Sequence, residues 1–404
     1  MRVLRILLVS TVLAVCGCTV VGRPVSGPDP AALDVGPYSR NPMIAPAVVS
    51  DYQGQVLESI RMAEAMADPV AVDPALRVPL RGPRAVPLPT PAKASGLLAN
   101  PTRAVLERHG MLAGYTVGAT DAVEGMRGTI GSARLLQIVV LRFAEAGAAQ
   151  QAAQEIDAVD FAVSPDNVAV PVAGYPAARS HWRPTVPTLA ATVAHESFVI
   201  SVLAGDRTPD LAALSALASK AFDTQIALLK TFAPTPAGRF TELPLDPDAM
   251  LGRMVPEAPG RWPFPQVILG DLDANAGWDT LLNARGVVYG SRGAELTSGP
   301  AEQRFESLAL NRFDRLVRFA DAAAARKHFA TVQRPADDTE LVRIPAPAGL
   351  MEIDCRERPK AIATMTRFSC LLRYGRYLAA VFSRDYTDVR QRAAAQYALL
   401  VNSE

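Results

Sequence analysis

Apolar positions along this chain follow two rhythms, and the alternation between them divides the sequence. Residues 134–143 are almost unbroken Leu, Ile and Val, and residues 188–194 and 197–204 repeat the pattern across a short turn at His195-Glu196. Short apolar runs bounded by turn residues predict buried strands. Residues 145–159 and 210–231 instead space their apolar residues for helices, with Leu214, Leu217, Ala218, Ala221 and Leu228 on one face of the second. Thr208-Pro209-Asp210 starts that helix with a capping hydroxyl, a first-turn proline and an acid near the positive helix end. Strands at 110–119 and 168–181 complete the pattern.

The order then recurs. His109-Gly110-Met111-Leu112-Ala113-Gly114 matches Arg285-Gly286-Val287-Val288-Tyr289-Gly290 at an offset of 176. At the same offset, Leu141-Arg142-Phe143-Ala144 matches Val317-Arg318-Phe319-Ala320. Gln225-Ile226-Ala227-Leu228-Leu229 matches Gln396-Tyr397-Ala398-Leu399-Leu400 at an offset of 171. The second copy predicts strands at 286–291, 312–319, 350–355, 366–374 and 377–383, and helices at 321–332 and 388–400. The expected fold is α+β: two tandem related repeats, each an antiparallel sheet with helices packed on one face.

Outside the repeats the patterning changes. Arg2 and Arg5 precede an apolar run from Ile6 to Val15, and Gly17 stands before Cys18. A positive start, about ten apolar residues and a small residue before cysteine read as a bacterial secretion signal ending in a lipobox; the run is too short to span a bilayer. The sequence therefore divides into a signal peptide at 1–17 and a lipidated segment at 18–102, with Cys18 as the acylated residue. Repeats follow at 103–235 and 279–404, joined by a proline-rich linker or strap at 236–278. Within 18–102, prolines 24, 28, 30, 37, 42 and 46 predict an extended tether over 19–50. Val56, Leu57, Ile60, Ala63 and Ala67 predict an amphipathic helix over 53–67, with Met62 and Met66 as packing residues.

Cysteine usage fits that address. Cys16 lies upstream of the cleavage point, and Cys355 and Cys370 remain. In an oxidising compartment these two predict a disulfide between neighbouring strands, with two buried free thiols as the alternative.

Composition narrows the functional classes. The chain has 404 residues, 20% charged and 49% hydrophobic, which suits two globular domains. Its net charge of +1 falls to −1 without Arg2 and Arg5. Near-neutrality gives no general pull on nucleic acid. Arginine far outnumbers lysine and alanine is abundant, a bias of high-GC bacterial genomes.

The residues offer no recognisable catalytic set and no cofactor motif. The histidines at 109, 181, 195 and 328 lack metal-ligand spacing. Around Ser291, Tyr289 stands where a hydrolase elbow needs its first glycine. Residues 271–275 open like a calcium loop, but Ala276 and Leu282 occupy the glycine and glutamate positions. Asp157 and Asp160 read as solvated helix-end charges. Gln225 and Gln396 are polar residues that the repeat keeps on otherwise apolar helix faces. They are either buried amides bonded to nearby backbone or amides lining a ligand groove in each repeat.

The lipobox, Leu33-Asp34-Val35-Gly36-Pro37-Tyr38, Arg61-Met62-Ala63-Glu64 and Asp73-Pro74-Ala75-Leu76 resemble uncharacterised lipoproteins of mycolic-acid actinobacteria that carry a domain of unknown function. The resemblance covers most of the mature chain. It implies a lipid-anchored place on the extracytoplasmic face of the cell membrane and a shared two-repeat fold, with no assigned catalytic residues. The expected role is non-enzymatic binding of an envelope protein or other ligand. The alternatives are a carrier of a lipid or other apolar small molecule, and an enzyme of unrecognised type.

Overall fold

A computed structural model describes residues 27–47, 49–80, 85–123, 129–264, 266–269, 282–289, 305–333, 341–360 and 366–403. Cys16, Cys18, the Ser291 segment and residues 271–275 lie outside these. The first half begins with helices α1 (Asp51–Met62) and α2 (Pro69–Val72), then strands β1 (Val78–Pro79) and β2 (Ala85–Pro87). Short helices α3 (Pro91–Ser95) and α4 (Thr102–Arg108) lead to β3 (Ala113–Thr120), β4 (Leu135–Arg142) and α5 (Ala146–Phe161). Strands β5 (Val168–Ala169), β6 (Arg179–Trp182), β7 (Thr188–His195) and β8 (Phe198–Gly205) precede the closing helix α6 (Leu211–Leu229). All eight strands form one antiparallel sheet in the order β1-β3-β4-β8-β7-β6-β5, with β2 beside β3. Asp210, not Thr208, caps α6, its carboxylate accepting from Ala213 N–H at 3.1 Å.

The second half contains β9 (Gln266–Leu269), β10 (Leu282–Tyr289), β11 (Ser307–Asn311), β12 (Asp314–Arg318) and helix α7 (Ala322–Gln333). It continues with β13 (Val342–Ile344), β14 (Ile353–Glu357), β15 (Phe368–Tyr374), β16 (Tyr377–Ser383) and helix α8 (Tyr386–Val401). Its separate antiparallel sheet runs β13-β14-β15-β16-β12-β11-β10-β9. The halves share strand order and register from β4 and β12 onward: Arg142 pairs with Phe198 as Arg318 pairs with Tyr377. Phe143 N–H then bonds Ser197 O at 2.8 Å, and Phe319 N–H bonds Arg376 O at 2.9 Å. From that anchor β3 corresponds to β11. The match of residues 109–114 with 285–290 is therefore not structural, because β3 runs antiparallel to β4 while β10 runs parallel to β12.

The α+β class and the tandem antiparallel halves stand, but helices cover both faces of each sheet, not one. In the second half, α8 packs with Cys355, Cys370, Leu372, Ala379 and Val381. Phe329 of α7 packs with Leu371 and Leu378, which alternate with those residues and point to the opposite face. Alternation produces this result, because the strands carry apolar residues at successive positions and so need two covers.

Each half also buries a strap of irregular chain under its closing helix. Ser50 caps α1 in a capping box with Gln53, and the chain past a short 3-10 turn (Ala63–Ala65) runs extended through Met66. In the second half, Leu245, Met250, Leu251, Met254 and Val255 lie in the core. Residues 236–278 are thus no free linker where they are described to Trp262. Residues 27–50 are likewise no free tether, because Leu33 and Val35 are buried among α8 residues. Tyr38 Oη donates to Asp388 Oδ1 at 2.6 Å, and Gln391 Nε2 donates to Asp34 at 3.2 Å, which accounts for the Leu-Asp-Val-Gly-x-Tyr segment.

A buried strap has no ladder partner, so its backbone groups need another source of hydrogen bonds. Glutamine supplies it in both halves. Gln225 Oε1 accepts from Ala67 N–H at 2.9 Å and its Nε2 donates to Ala65 O at 2.7 Å. Gln396 Oε1 accepts from Val255 N–H at 3.1 Å and its Nε2 donates to Arg253 O at 2.7 Å. Each amide clamps the residues either side of a buried methionine, Met66 or Met254. Both glutamines are almost fully buried and bond the strap backbone through oxygen and nitrogen alike, so they are the buried amides and not the lining of a ligand groove. An arginine at the end of β4 or β12 also ties down the chain leading into each strap, Arg142 to Glu58 of α1 and Arg318 to Asp248.

Cys355 and Cys370 are directly opposed on β14 and β15 and form a disulfide in the second core. The equivalent pair in the first half is Ser180 and Ala191.

Replacing either glutamine with alanine strands one buried N–H and one C=O. Gln225→Ala and Gln396→Ala should each lower unfolding free energy by about 1–3 kcal/mol, read by urea denaturation. An unchanged midpoint in both would contradict the clamp.

Candidate functional site

Superposing the halves shows where the chain departs from its own template. In the first half, Val117, Ile138 and Ala221 are a buried apolar trio on β3, β4 and α6. The equivalent residues of the second half are Asn311, Asp314 and Arg392, all at most 8% exposed. The fold therefore accommodates hydrocarbon at these positions, yet the second half holds an ion pair and an amide there. Buried ion pairs are weak contributors to stability relative to apolar residues of similar volume. A polar substitution of a whole contact set marks a functional site more readily than a structural one.

These side chains are fixed by several elements. Asp314 starts β12 and accepts from Phe382 N–H at 2.9 Å and from Arg392 Nη2. Arg392 Nη1 donates to Tyr38 Oη at 3.1 Å, and its guanidinium lies 5.1 Å from the Tyr38 ring centre. Asn311 Nδ2 donates to the strap at Val255 O, 3.1 Å away. Asn311 Oδ1 and Arg392 Nε are buried and have no partner among the described residues. Burial pushes the Asp314 carboxyl up, and attraction to Arg392 offsets this only in part. Burial works against the Arg392 charge, but Asp314 and Tyr38 outweigh it and hold the guanidinium protonated.

A cleft of about 380 Å³ opens over this pair. Arg312 enters from the β11–β12 turn, Arg384 from the β16–α8 junction and Glu257 from the strap, with Phe313, Phe382 and Thr366 on the walls. Arg312 is paired with Glu257. It is the first residue of a two-residue turn and has φ +57, a conformation usually left to glycine. The matching turn at β15–β16 uses Gly375 at φ +53. Holding an arginine in this region costs about 1–3 kcal/mol, so the turn's sequence is not the one that stability alone selects. Three guanidiniums against two carboxylates leave the lining with a positive excess. The arrangement suits recognition of a carboxylate or phosphate by planar donors.

The remaining sequence candidates lie elsewhere. His181 is buried on β6, its Nδ1 3.0 Å from Asp157 and its Nε2 3.6 Å from Asp160. Asp157 and Asp160 are thus not merely solvated charges: they secure α5 to the sheet, and burial pushes Asp160 up. His109 pairs with Glu155 at 3.1 Å on the surface of the α4–α5 contact. His195 sits in its hairpin. Burial beside Phe319 pushes His328 down. Among the described residues, no three His, Cys, Asp or Glu side chains are placed to hold a metal ion. Asn311, Asp314 and Arg392 escaped the sequence reading, although aligning Gln225 with Gln396 already sets Ala221 against Arg392 four residues earlier.

If the trio is functional and not structural, its energetics are asymmetric. Asp314→Ala alone should destabilise by about 3–5 kcal/mol, whereas the combined Asn311→Leu, Asp314→Leu and Arg392→Met change, which keeps the buried volume, should be neutral or stabilising by up to about 4 kcal/mol. Denaturation of the two proteins distinguishes these; a triple variant weaker than the single one would show that the ion pair is required for folding.

Residues 45–245 match the domain of unknown function DUF7373, N-terminal, and residues 250–403 match its C-terminal counterpart. The break between the matches falls at the second strap. Comparison with curated proteins finds no match. Among solved structures, the extracellular domain of PknH from Mycobacterium tuberculosis is similar over 41% of this chain and 93% of that domain, with 13% identity and a TM-score of 0.28.

Proposed function

This chain belongs to the DUF7373 family, and from that premise we propose that it is a lipid-anchored, extracytoplasmic binding protein of mycolic-acid actinobacteria that holds an anionic group. One observation carries the binding reading: the second half replaces a buried apolar trio by Asn311, Asp314 and Arg392 beneath a cleft with an excess of arginine. Arg312 and Arg384 bring the remaining positive charge to its mouth. Asp314 and Arg392 are bonded to each other and to backbone, a geometry for holding a group in place and not for transferring a proton. The lipid-carrier alternative has less support from this cleft, because five of the residues that line it carry a charge.

Two features support the location. The signal and lipobox of residues 1–18 carry the expected acylation at Cys18. The Cys355–Cys370 disulfide suits an oxidising compartment. The anchor would place the cleft near the membrane, where phosphate and carboxylate groups are abundant in lipids and envelope polymers.

Two measurements check the proposal. Cys18→Ser should move the protein from the membrane fraction to the soluble fraction; retention on the membrane would refute the anchor. Calorimetry with inorganic phosphate and with citrate should show salt-sensitive binding that weakens about tenfold in Arg312→Gln or Arg384→Gln. Absence of binding by both anions, or equal binding by the variants, would refute the anion site.

A further inference from the structure

A second departure between the halves lies on the opposite side of the molecule's repeat logic, in the first half. Between α7 and β15, the second half is filled. Phe329 and Leu371 pack together, and Arg373 reaches across them to Glu352. Arg373 Nε lies 2.8 Å from Glu352 Oε1, and Nη1 donates to Gly375 O at 2.6 Å. The equivalent positions in the first half, taken from the strand registers and from Phe143 with Phe319, are Ala153, Thr192, Ala194 and Ala177. Four large side chains are replaced by small ones on three different elements. A cleft of about 530 Å³ occupies the vacated space.

Side chains are shortened on every facing wall, and no neighbouring side chain fills the space they leave, which stays open as a cleft. The polar groups that remain are also specific. Glu196 replaces Gly375, so a carboxylate stands beside the backbone carbonyl that receives the Arg373 guanidinium in the other half. It does so at φ +50, in the first position of the β7–β8 turn. Arg179 stands at the other end of the cleft, opposite Thr192 in the ladder, where the second half has Asp354. Thr192 itself is 5% exposed, and its hydroxyl has only a long 3.4 Å contact to Ser201. Glu196 lies four residue steps beyond Thr192, just past the end of β7, about 13 Å away if the strand spacing is kept. Two flexible side chains and a ligand of several bonds bridge that span.

We propose that this cleft binds free arginine or a closely similar basic amino acid. The ligand's guanidinium takes the place of Arg373 against Glu196, its methylene stem lies over Ala153 and Ala194, and its carboxylate meets Arg179. The ligand's guanidinium thus fills the place vacated by Arg373, but its carboxylate partner is Glu196 at the Gly375 position, not a counterpart of Glu352, whose place is taken by Ala177. This inference is independent of the anion cleft of the second half, and its test reads a different ligand at different residues.

The test is calorimetric titration of the full-length mature chain with L-arginine, L-citrulline and agmatine. Arginine should bind; citrulline, which lacks the charge, and agmatine, which lacks the carboxylate, should each bind about tenfold or more weakly. Glu196→Gln and Arg179→Gln, both at exposed positions, should cause similar losses. The double change Ala177→Glu with Ala194→Arg rebuilds the internal pair and should abolish binding with no loss of thermal stability. Should that variant fail to fold, the two exposed single variants still decide the matter. No binding of arginine at millimolar concentration would overturn the proposal. So would citrulline binding as tightly as arginine, or undiminished binding by both single variants.

Discussion

A buried primary amide whose oxygen and nitrogen each bond the same stretch of backbone organises each half of this protein. The closing helix must cover the sheet, and an irregular strap must pass beneath it; without a ladder the strap would bury unpaired N–H and C=O groups. Gln225 and Gln396 resolve this by acting as a single rung of sheet, donating to one residue and accepting from the residue two further on. The methionine between those bonds is then forced inward, where burial stabilises it by about 1.5–3 kcal/mol. Each amide therefore couples the closing helix to the strap at the point where the strap has no ladder partner.

Because the same device occurs twice, each half serves as a control for the other. Where they agree, as at Phe143 with Phe319 or Arg142 with Arg318, the residues satisfy demands of the fold. Where a whole contact set differs, as at the two clefts, the other half shows that the fold does not require either version. The second half buries charge where the first buries Val117, Ile138 and Ala221. The first half opens a cleft where the second packs Phe329, Leu371, Arg373 and Glu352. One duplicated scaffold thus carries two different polar clefts, each formed by abandoning a contact that the other half retains.

Much of this organisation was legible in the sequence, and what was not has physical reasons. Long elements with clear periodicity, such as α6 and α8, and the runs at β4 and β8 read directly as helices and strands. The repeated glutamine stood out because an amide on an apolar face needs a partner. Strand β11 was missed because its five residues flow into a turn led by Arg312, where a glycine signal was absent. The first strap read as the end of a helix over 53–67 because Ala63 and Ala67 keep its spacing, the second read as a linker or strap, and residues 27–50 read as an extended tether because proline density masks burial and a Leu-Asp-Val segment is too short to show a period. The clefts were invisible for a different reason: Ala177 and Ala194 are informative only against Glu352 and Arg373, and that alignment needs strand register.

Native-state hydrogen exchange at the Ala67 and Val255 amides tests the central claim most directly, since each N–H donates only to its glutamine in this account. Both should exchange as slowly as the core strands β4 and β12, through global unfolding of their half. Exchange at the rate of exposed loop amides would show that the straps are not clamped, and that the two halves owe their form to something else.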